Sequence, residues 1–346
     1  MNMTHKQLLG WASAWLAVLS FLAVLIPGFL VRRGDASQLT IAPSANVSNP
    51  DGGGKHLLIP VYLSKTQTIE TVPLEDYVRG VVAAEMPADF ELEAMKAQAI
   101  AARTYIVRRI LERDFSNVPV NDAWVTDTIT HQAYLSEEEL RKRADAASPE
   151  AAAGWDKLNR AVRETNDLIL TYGGKPIQAT FFSTSNGFTE NAADYWGDDI
   201  PYLRSVASPW DAKLSPRYKE TVTIPYKVLI AKLGVKSVAT TSGKPTSLKV
   251  LSWTDSKRVK SISAGGRTFS GKEFRERLGL NSSQFAWTWR GDQLEMTTTG
   301  YGHGVGMSQW GANGMAREGK SAEEIVKYFY QGVAIEPAAS YLTTKS

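Results

Sequence analysis

PLEDYVRGVVAAEMPADFELEAMKAQAIAARTYIVRRILE, residues 73–112, carries two helical patterns separated by a proline. In the first, Leu74, Tyr77, Val78, Val81, Val82 and Glu85 fall on one face at helical spacing. The helix is predicted to open at Pro73, with Glu75 and Asp76 in the first turn, where acids suit the dipole. It must end near Glu85, because Pro87 pushes Met86 out of the helical region. Glu85 therefore extends an apolar stripe. Desolvation and the carbonyl end of the helix both disfavour its charge. A carboxyl raised in this way suits a general acid working near neutral pH. The other reading is a glutamate paired with a core arginine, and the stretch alone leaves both open. A second helix is predicted over about Leu92–Glu112. Lys96, Ala99, Ile100, Arg103, Val107 and Ile110 share one face, and Arg108, Arg109 and Glu112 the other. Lys96 and Arg103 are then two cations in an apolar stripe, and buried cations need partners. Glu85 is a candidate partner for one, and a substrate's polar groups for the other. A cation beside Glu85 would lower its pKa, so the sign of the net shift stays open.

Outward from these helices, Leu57–Leu63 and Thr66–Val72 read as short strands turning at Ser64–Lys65. Residues 113–160, polar and alanine-rich, are expected as a helical excursion. Leu168–Thr171 and Pro176–Ser183 alternate like a hairpin around Gly173–Gly174. Residues 215–298 alternate strand-like segments with short helices, an expected α/β subdomain. Ser270–Glu273 and Ser321–Glu324 have capping-box spacing. The class is α+β, mostly antiparallel strands with helices packed around a substrate cleft. Before this body, expected over 56–340, residues 34–55 read as a flexible linker. Leu8–Val31 has no charged residue and is long enough to span a bilayer, so residues 1–33 are expected as an uncleaved transmembrane anchor. The flanking charges, Lys6 against Arg32 and Arg33, lean towards a cytoplasmic body. The chemistry below places it outside.

The chain has 346 residues and a net charge of +3, too small to argue for nucleic acid, and no basic stripe with interleaved aromatics is present. The absence of cysteine excludes disulfides, a thiol nucleophile and cysteine-ligated zinc. With 10 Trp, 13 Tyr and 11 Phe, aromatic side chains are plentiful enough to fill cores and also to stack on sugar rings.

Two further stretches stand out. TFFSTSNGFTE (180–190) ends a strand in small hydrogen-bonding side chains and a glycine. TGYGHGVGMSQWGANG (299–314) contains six glycines and places His303 before a predicted helix, but with neither a phosphate-loop nor a dinucleotide spacing. Ser185 and His303 suggest a hydrolase pair, yet no G-x-S-x-G elbow surrounds the serine.

PLEDYVRGVVAAEMPADFELEAMKAQAIAARTY, FFSTSNGFTENAADYWGDDIPYLRSVASPWD and GYGHGVGMSQWGANGMAREGKSAEEIVKYFYQGV together resemble the stage II sporulation protein D family of cell-wall lytic transglycosylases. The resemblance implies an extracytoplasmic, membrane-anchored enzyme that cuts peptidoglycan glycan strands during forespore engulfment. By it, the catalytic glutamate falls on Glu85 and the basic residues of the next helix on Lys96 and Arg103. The serine-asparagine-glycine strand end falls on Ser183, Ser185, Asn186 and Gly187, and the histidine-glycine loop on His303, Gly304 and Gln309; both are expected to line the cleft and hydrogen-bond the acetamido groups of the glycan. Tyr195 and Trp196 are candidate sugar platforms. The implied partners are the glycan, a cell-wall amidase that strips stem peptides, and membrane proteins of the engulfment machinery. Some relatives carry a cysteine-containing zinc site. Without cysteine, this chain is expected to have no such site and no cofactor. Two other readings remain: a muramidase using Glu190, Asp194 or Asp198 as second carboxylate, and a non-catalytic wall-binding scaffold.

Overall fold

The computed structural model describes residues 57–146, 149–236, 240–241, 244–245 and 248–342. The expected anchor and linker lie outside the described residues. Among those described, no helix is long and apolar enough to cross a membrane.

The fold is mixed α+β. Leu58–Leu63 pairs antiparallel with Thr68–Pro73, and Val125–Thr126 adds a parallel third strand. The second strand runs straight into helix α1, Leu74–Glu85, with Pro73 as its N-cap and Glu75 and Asp76 in the first turn. Tyr77, Val78, Val81 and Val82 are fully buried, as their spacing requires. Met86 leaves the helix with extended backbone (φ −113°, ψ 132°), its N–H on the Val82 carbonyl. Pro87 is the steric cause.

Helix α2, Leu92–Glu112, spans about 32 Å and is the axis of the main core. It packs on the Pro149–Glu164, Gln309–Arg317 and Ala322–Phe329 helices and on strand Leu168–Tyr172. Buried Ala94, Ala97, Ala99, Ala101 and Ala102 let these neighbours approach on several sides at once. Arg109, expected on the exposed face, is therefore buried. Its guanidinium donates to the Trp124 and Ser116 carbonyls and pairs with Asp114. Residues 113–136 are the reason. Expected as helix, they form loops and the short strand Val125–Thr126, folded over that face. Helices follow only at Glu137–Asp145 and Pro149–Glu164.

The expected hairpin over 168–183 is also broken. Lys175–Pro176 returns against Leu168–Tyr172, but Phe181–Phe182 departs to pair in parallel with Met307–Ser308. Capping at Ser321 is reciprocal with Glu324, whereas Ser270 only accepts from the Glu273 N–H. A second reciprocal box, between Ser136 and Glu139, opens the Glu137–Asp145 helix.

A separate apolar core lies further along the chain, built from Ile224, Leu229, Ile262, Phe269, Phe274, Phe285, Leu294 and Met296. Around it stand two antiparallel three-stranded sheets and helices Tyr226–Leu233 and Gly271–Leu278.

Candidate active site

Glu85 is half-buried at the C-terminal end of α1. Each carboxylate oxygen has one fixed donor. The Ala133 N–H donates to Oε1 at 3.2 Å, and Gln309 Nε2 donates to Oε2 at 3.1 Å. Burial raises its pKa above the ordinary glutamate value, and these two hydrogen bonds only partly oppose it. The sign left open by the sequence is therefore upward.

The cations of α2 turn elsewhere. Arg103, fully buried, makes a two-pronged pair with Glu75 at 2.8 and 2.6 Å and donates to the Leu168 carbonyl at 3.1 Å. Lys96 pairs with Glu93 and Glu164, both at 2.6 Å, in a groove of about 640 Å³ whose lining excludes Glu85. The expectation that one of them partners Glu85 is overturned, because each has carboxylates closer at hand. Neither is presented to a ligand bound at Glu85.

Gln309 reaches Glu85 because a buried polar hub positions its helix. Asp211, held above the usual carboxylate range by burial against its hydrogen bonds, accepts from Ser208 Oγ, Ser308 Oγ and the Ser185 N–H. Ser308 in turn caps the Gln309–Arg317 helix by accepting from the Gly311 N–H. The Trp310 N–H donates to the Ser183 carbonyl at 3.1 Å. This brings the half-buried Ser183 strand end beside Gln309 and hence towards Glu85. Gly306 allows the close pairing of the two segments: it has φ +82°, and a Cβ there would lie 2.0 Å from the Thr180 carbonyl oxygen.

Ser185 and Asn186 do not line a cleft. Ser185 is fully buried, with Oγ on the Ser208 carbonyl. The Asn186 amide is engaged by the Ser256 carbonyl and Gln284. Both are therefore unavailable to hydrogen-bond a sugar, contrary to expectation, and Ser185 has no contact with His303 that would make a hydrolase pair. His303 is likewise engaged at both nitrogens. The Val305 N–H donates to Nδ1 at 3.1 Å, so Nε2 carries the proton and donates to the Phe181 carbonyl at 3.0 Å. Burial and the nearby Arg275 and Arg258 charges, against that carbonyl contact, depress its pKa to about 4. The ring is neutral at physiological pH.

The His303 ring packs among aromatic neighbours. Its centroid lies 5.6 Å from those of Phe182 and Trp196 and 6.0 Å from that of Tyr195. Arg275 donates to Tyr195 Oη at 3.1 Å, and Lys272 Nζ stands 5.4 Å from the centre of the Tyr195 ring. Neither cation makes an ion pair among the described residues. Of the alternative carboxylates, Glu190 is buried and accepts from Thr254 Oγ1, Ser256 Oγ and the Asn191 N–H, while Asp194 pairs with Lys260 at 2.8 Å. Asp198 is exposed. No residue-type signal marks Ala133, whose contribution is a backbone N–H, nor Arg275, whose place depends on tertiary packing.

A family model described as stage II sporulation protein matches residues 62–172. The chain is 44% identical over 338 residues to stage II sporulation protein D of Bacillus subtilis (strain 168), covering 94% of this chain and 96% of that protein. It is 46% identical over 285 residues to stage II sporulation protein D of Bacillus amyloliquefaciens, covering 82% and 80%. A more distant similarity, 27% over 311 residues, is to an amidase enhancer of Bacillus subtilis (strain 168), covering 75% of this chain and 40% of that protein.

Proposed function

The chain belongs to the stage II sporulation protein D family, which supports a role in sporulation, and from that premise we propose that it is a peptidoglycan lytic transglycosylase. The observation that carries this reading is Glu85, a half-buried carboxyl with raised pKa and a fixed donor on each oxygen. The protonated form gives its proton to the glycosidic oxygen between N-acetylmuramic acid and N-acetylglucosamine. The bond from that oxygen to the muramic C1 breaks, and N-acetylglucosamine leaves with a 4-hydroxyl. The resulting carboxylate takes the proton of the muramic C6 hydroxyl, whose oxygen closes on C1. The product is a 1,6-anhydro end, no water is consumed, and the acid is regenerated. The nucleophile belongs to the substrate, so proximity supplies much of the rate and one carboxylate suffices. Engagement of Glu190 and Asp194 in internal contacts supports this over the muramidase reading.

Tyr195 and Trp196 suit a sugar ring. Lys272 and Arg275 beside them suit the lactyl carboxylate of muramic acid, which is free only after the stem peptide has been removed. An amidase acting first fits that chemistry, and the distant relative named as an amidase enhancer supports a cell-wall setting. The body then works outside the cytoplasm, tethered through the apolar stretch Leu8–Val31.

The test is digestion of amidase-treated wall by the body and by its Glu85→Gln variant. Wild type releases anhydro-muramyl ends, and the variant folds but releases none. Full activity in the variant removes Glu85 from the chemistry. Products one water heavier identify a hydrolase, and wall binding without solubilisation identifies a scaffold.

A further inference from the structure

The Ala133 N–H is a backbone group on a loop, so something must hold it against Glu85. The residues on either side of it are fixed one by one. Gln132 Oε1 accepts from Tyr77 Oη at 3.0 Å. The Tyr134 ring stacks on Tyr77 with centroids 5.5 Å apart and planes 18° from parallel. The Leu135 N–H donates to the Gly80 carbonyl at 3.2 Å. Gly80 is required there, since a Cβ would lie 2.3 Å from Tyr134 Cε2 and 2.6 Å from the Leu135 oxygen. The outermost tie is Glu70, half-buried on strand Thr68–Pro73. Its Oε2 accepts from Tyr134 Oη at 2.8 Å, and its Oε1 accepts from the Glu137 N–H at 3.1 Å. One carboxylate thus bridges both ends of the Tyr134–Glu137 turn. We infer that Glu70 is a positioning residue for Glu85: by clamping that turn to the sheet, it holds the Ala133 N–H on the Glu85 carboxylate.

The clamp has a chemical consequence. Each Glu85 oxygen already accepts from a protein donor, so an added proton must occupy the remaining lone pair of one oxygen, away from Ala133 and Gln309. The fixed N–H thereby keeps the acidic hydrogen off the lone pair that Ala133 occupies. Loosening the loop removes a donor that favours the ionised form, which raises the pH at which Glu85 gives up its proton.

This inference concerns the same carboxyl as the proposed function, so its test is chosen to stand apart from catalysis. Carbodiimide coupling proceeds through the protonated carboxyl, and labelling at Glu85 is quantified by peptide mass spectrometry as a function of pH. In Glu70→Ala and Tyr134→Phe the half-labelling pH rises by about half a unit to one unit, the scale of one lost hydrogen bond. Glu70→Gln restores the wild-type midpoint, because its amide can accept from the Glu137 N–H and donate to Tyr134 Oη. On stripped wall, Glu70→Ala loses roughly tenfold in kcat with little change in KM, as misplacement of an acid predicts. An unchanged labelling midpoint in folded Glu70→Ala and Tyr134→Phe overturns the clamp, whatever the activity. A shifted midpoint in a protein that never cleaves glycan supports the clamp and instead defeats the proposed reaction.

Discussion

Glu85 and His303 are half-buried titratable groups whose pKa values move in opposite charge-avoiding directions, up for the acid and down for the base. Each has a consequence for stability. For Glu85, the folded state keeps its proton to higher pH than the unfolded chain does. Folding is therefore disfavoured by this group as pH rises from the unfolded carboxyl value through the raised folded one. Glu85→Gln should melt at a higher temperature than wild type at pH 8, and the difference should vanish near pH 3. Thermal melts across pH check this. For His303 the sign reverses. The contribution is fully present above about pH 6.5, the unfolded value, and is lost as pH falls towards the folded value of about 4. His303→Asn should flatten the wild-type fall in melting temperature across that interval. The sequence pointed to Glu85 because a charge interrupting a hydrophobic period is visible on a helical wheel. It could not weigh Ala133, since a backbone donor has no residue-type signature, nor could it tell a histidine with an open nitrogen from one with both nitrogens engaged.

The two helices were legible because Pro87 marks a boundary by sterics alone and the apolar period on either side is regular. What α2 packs against was not legible. Arg109 reads as exposed from its own helix and is buried only because residues 113–136 return over it. Arg103 reads as a cation awaiting a ligand and is instead matched by Glu75, in the first turn of α1. That pair joins the start of one helix to the middle of the next. Since Arg103 is fully buried and Glu75 about one-third exposed, removing the arginine strands a partly desolvated carboxylate and leaves a void. Arg103→Ala should cost about 3–5 kcal/mol, by comparison with other broken buried pairs. Arg103→Met combined with Glu75→Leu should recover most of that loss, because no charge is then left unpaired. Urea unfolding gives the stabilities. If Arg103 instead served the substrate, the double variant would be stable yet inactive on stripped wall. The structure predicts that activity returns with stability.

At the scale of the whole molecule, the His303 loop is held from two sides. Pairing of Met307–Ser308 with Phe181–Phe182 ties it to the main core. From the second core come polar contacts: Arg275 to Tyr195, Lys260 to Asp194, and Gln284 to Asn186. The most buried of them is Arg258, which donates to the Phe188 carbonyl and to Ser256 Oγ, and Ser256 donates to Glu190. Arg258 also lies directly under Gly304, where a Cβ would come within 2.5 Å of its guanidinium. Two apolar clusters joined through such polar contacts can open separately when those contacts are lost. Desolvation lowers the Arg258 pKa to about 10, while Glu190 opposes the fall, so the guanidinium remains charged at neutral pH. Arg258→Met keeps the volume but leaves the Phe188 carbonyl and Ser256 Oγ without their charged donor, at a cost of about 1–3 kcal/mol. That loss should fall on the junction, since neither apolar cluster contains Arg258. Scanning calorimetry of wild type should give one transition, and the variant should give two, the earlier one exposing Trp287 and Trp289 of the second cluster to a fluorescence quencher. Removing a nearby cation also raises the His303 pKa, so its titration should move towards neutrality in the same variant. A single transition at the wild-type temperature, with His303 unmoved, would mean that the apolar contacts alone couple the two halves and that Arg258 merely fills space beneath the glycine.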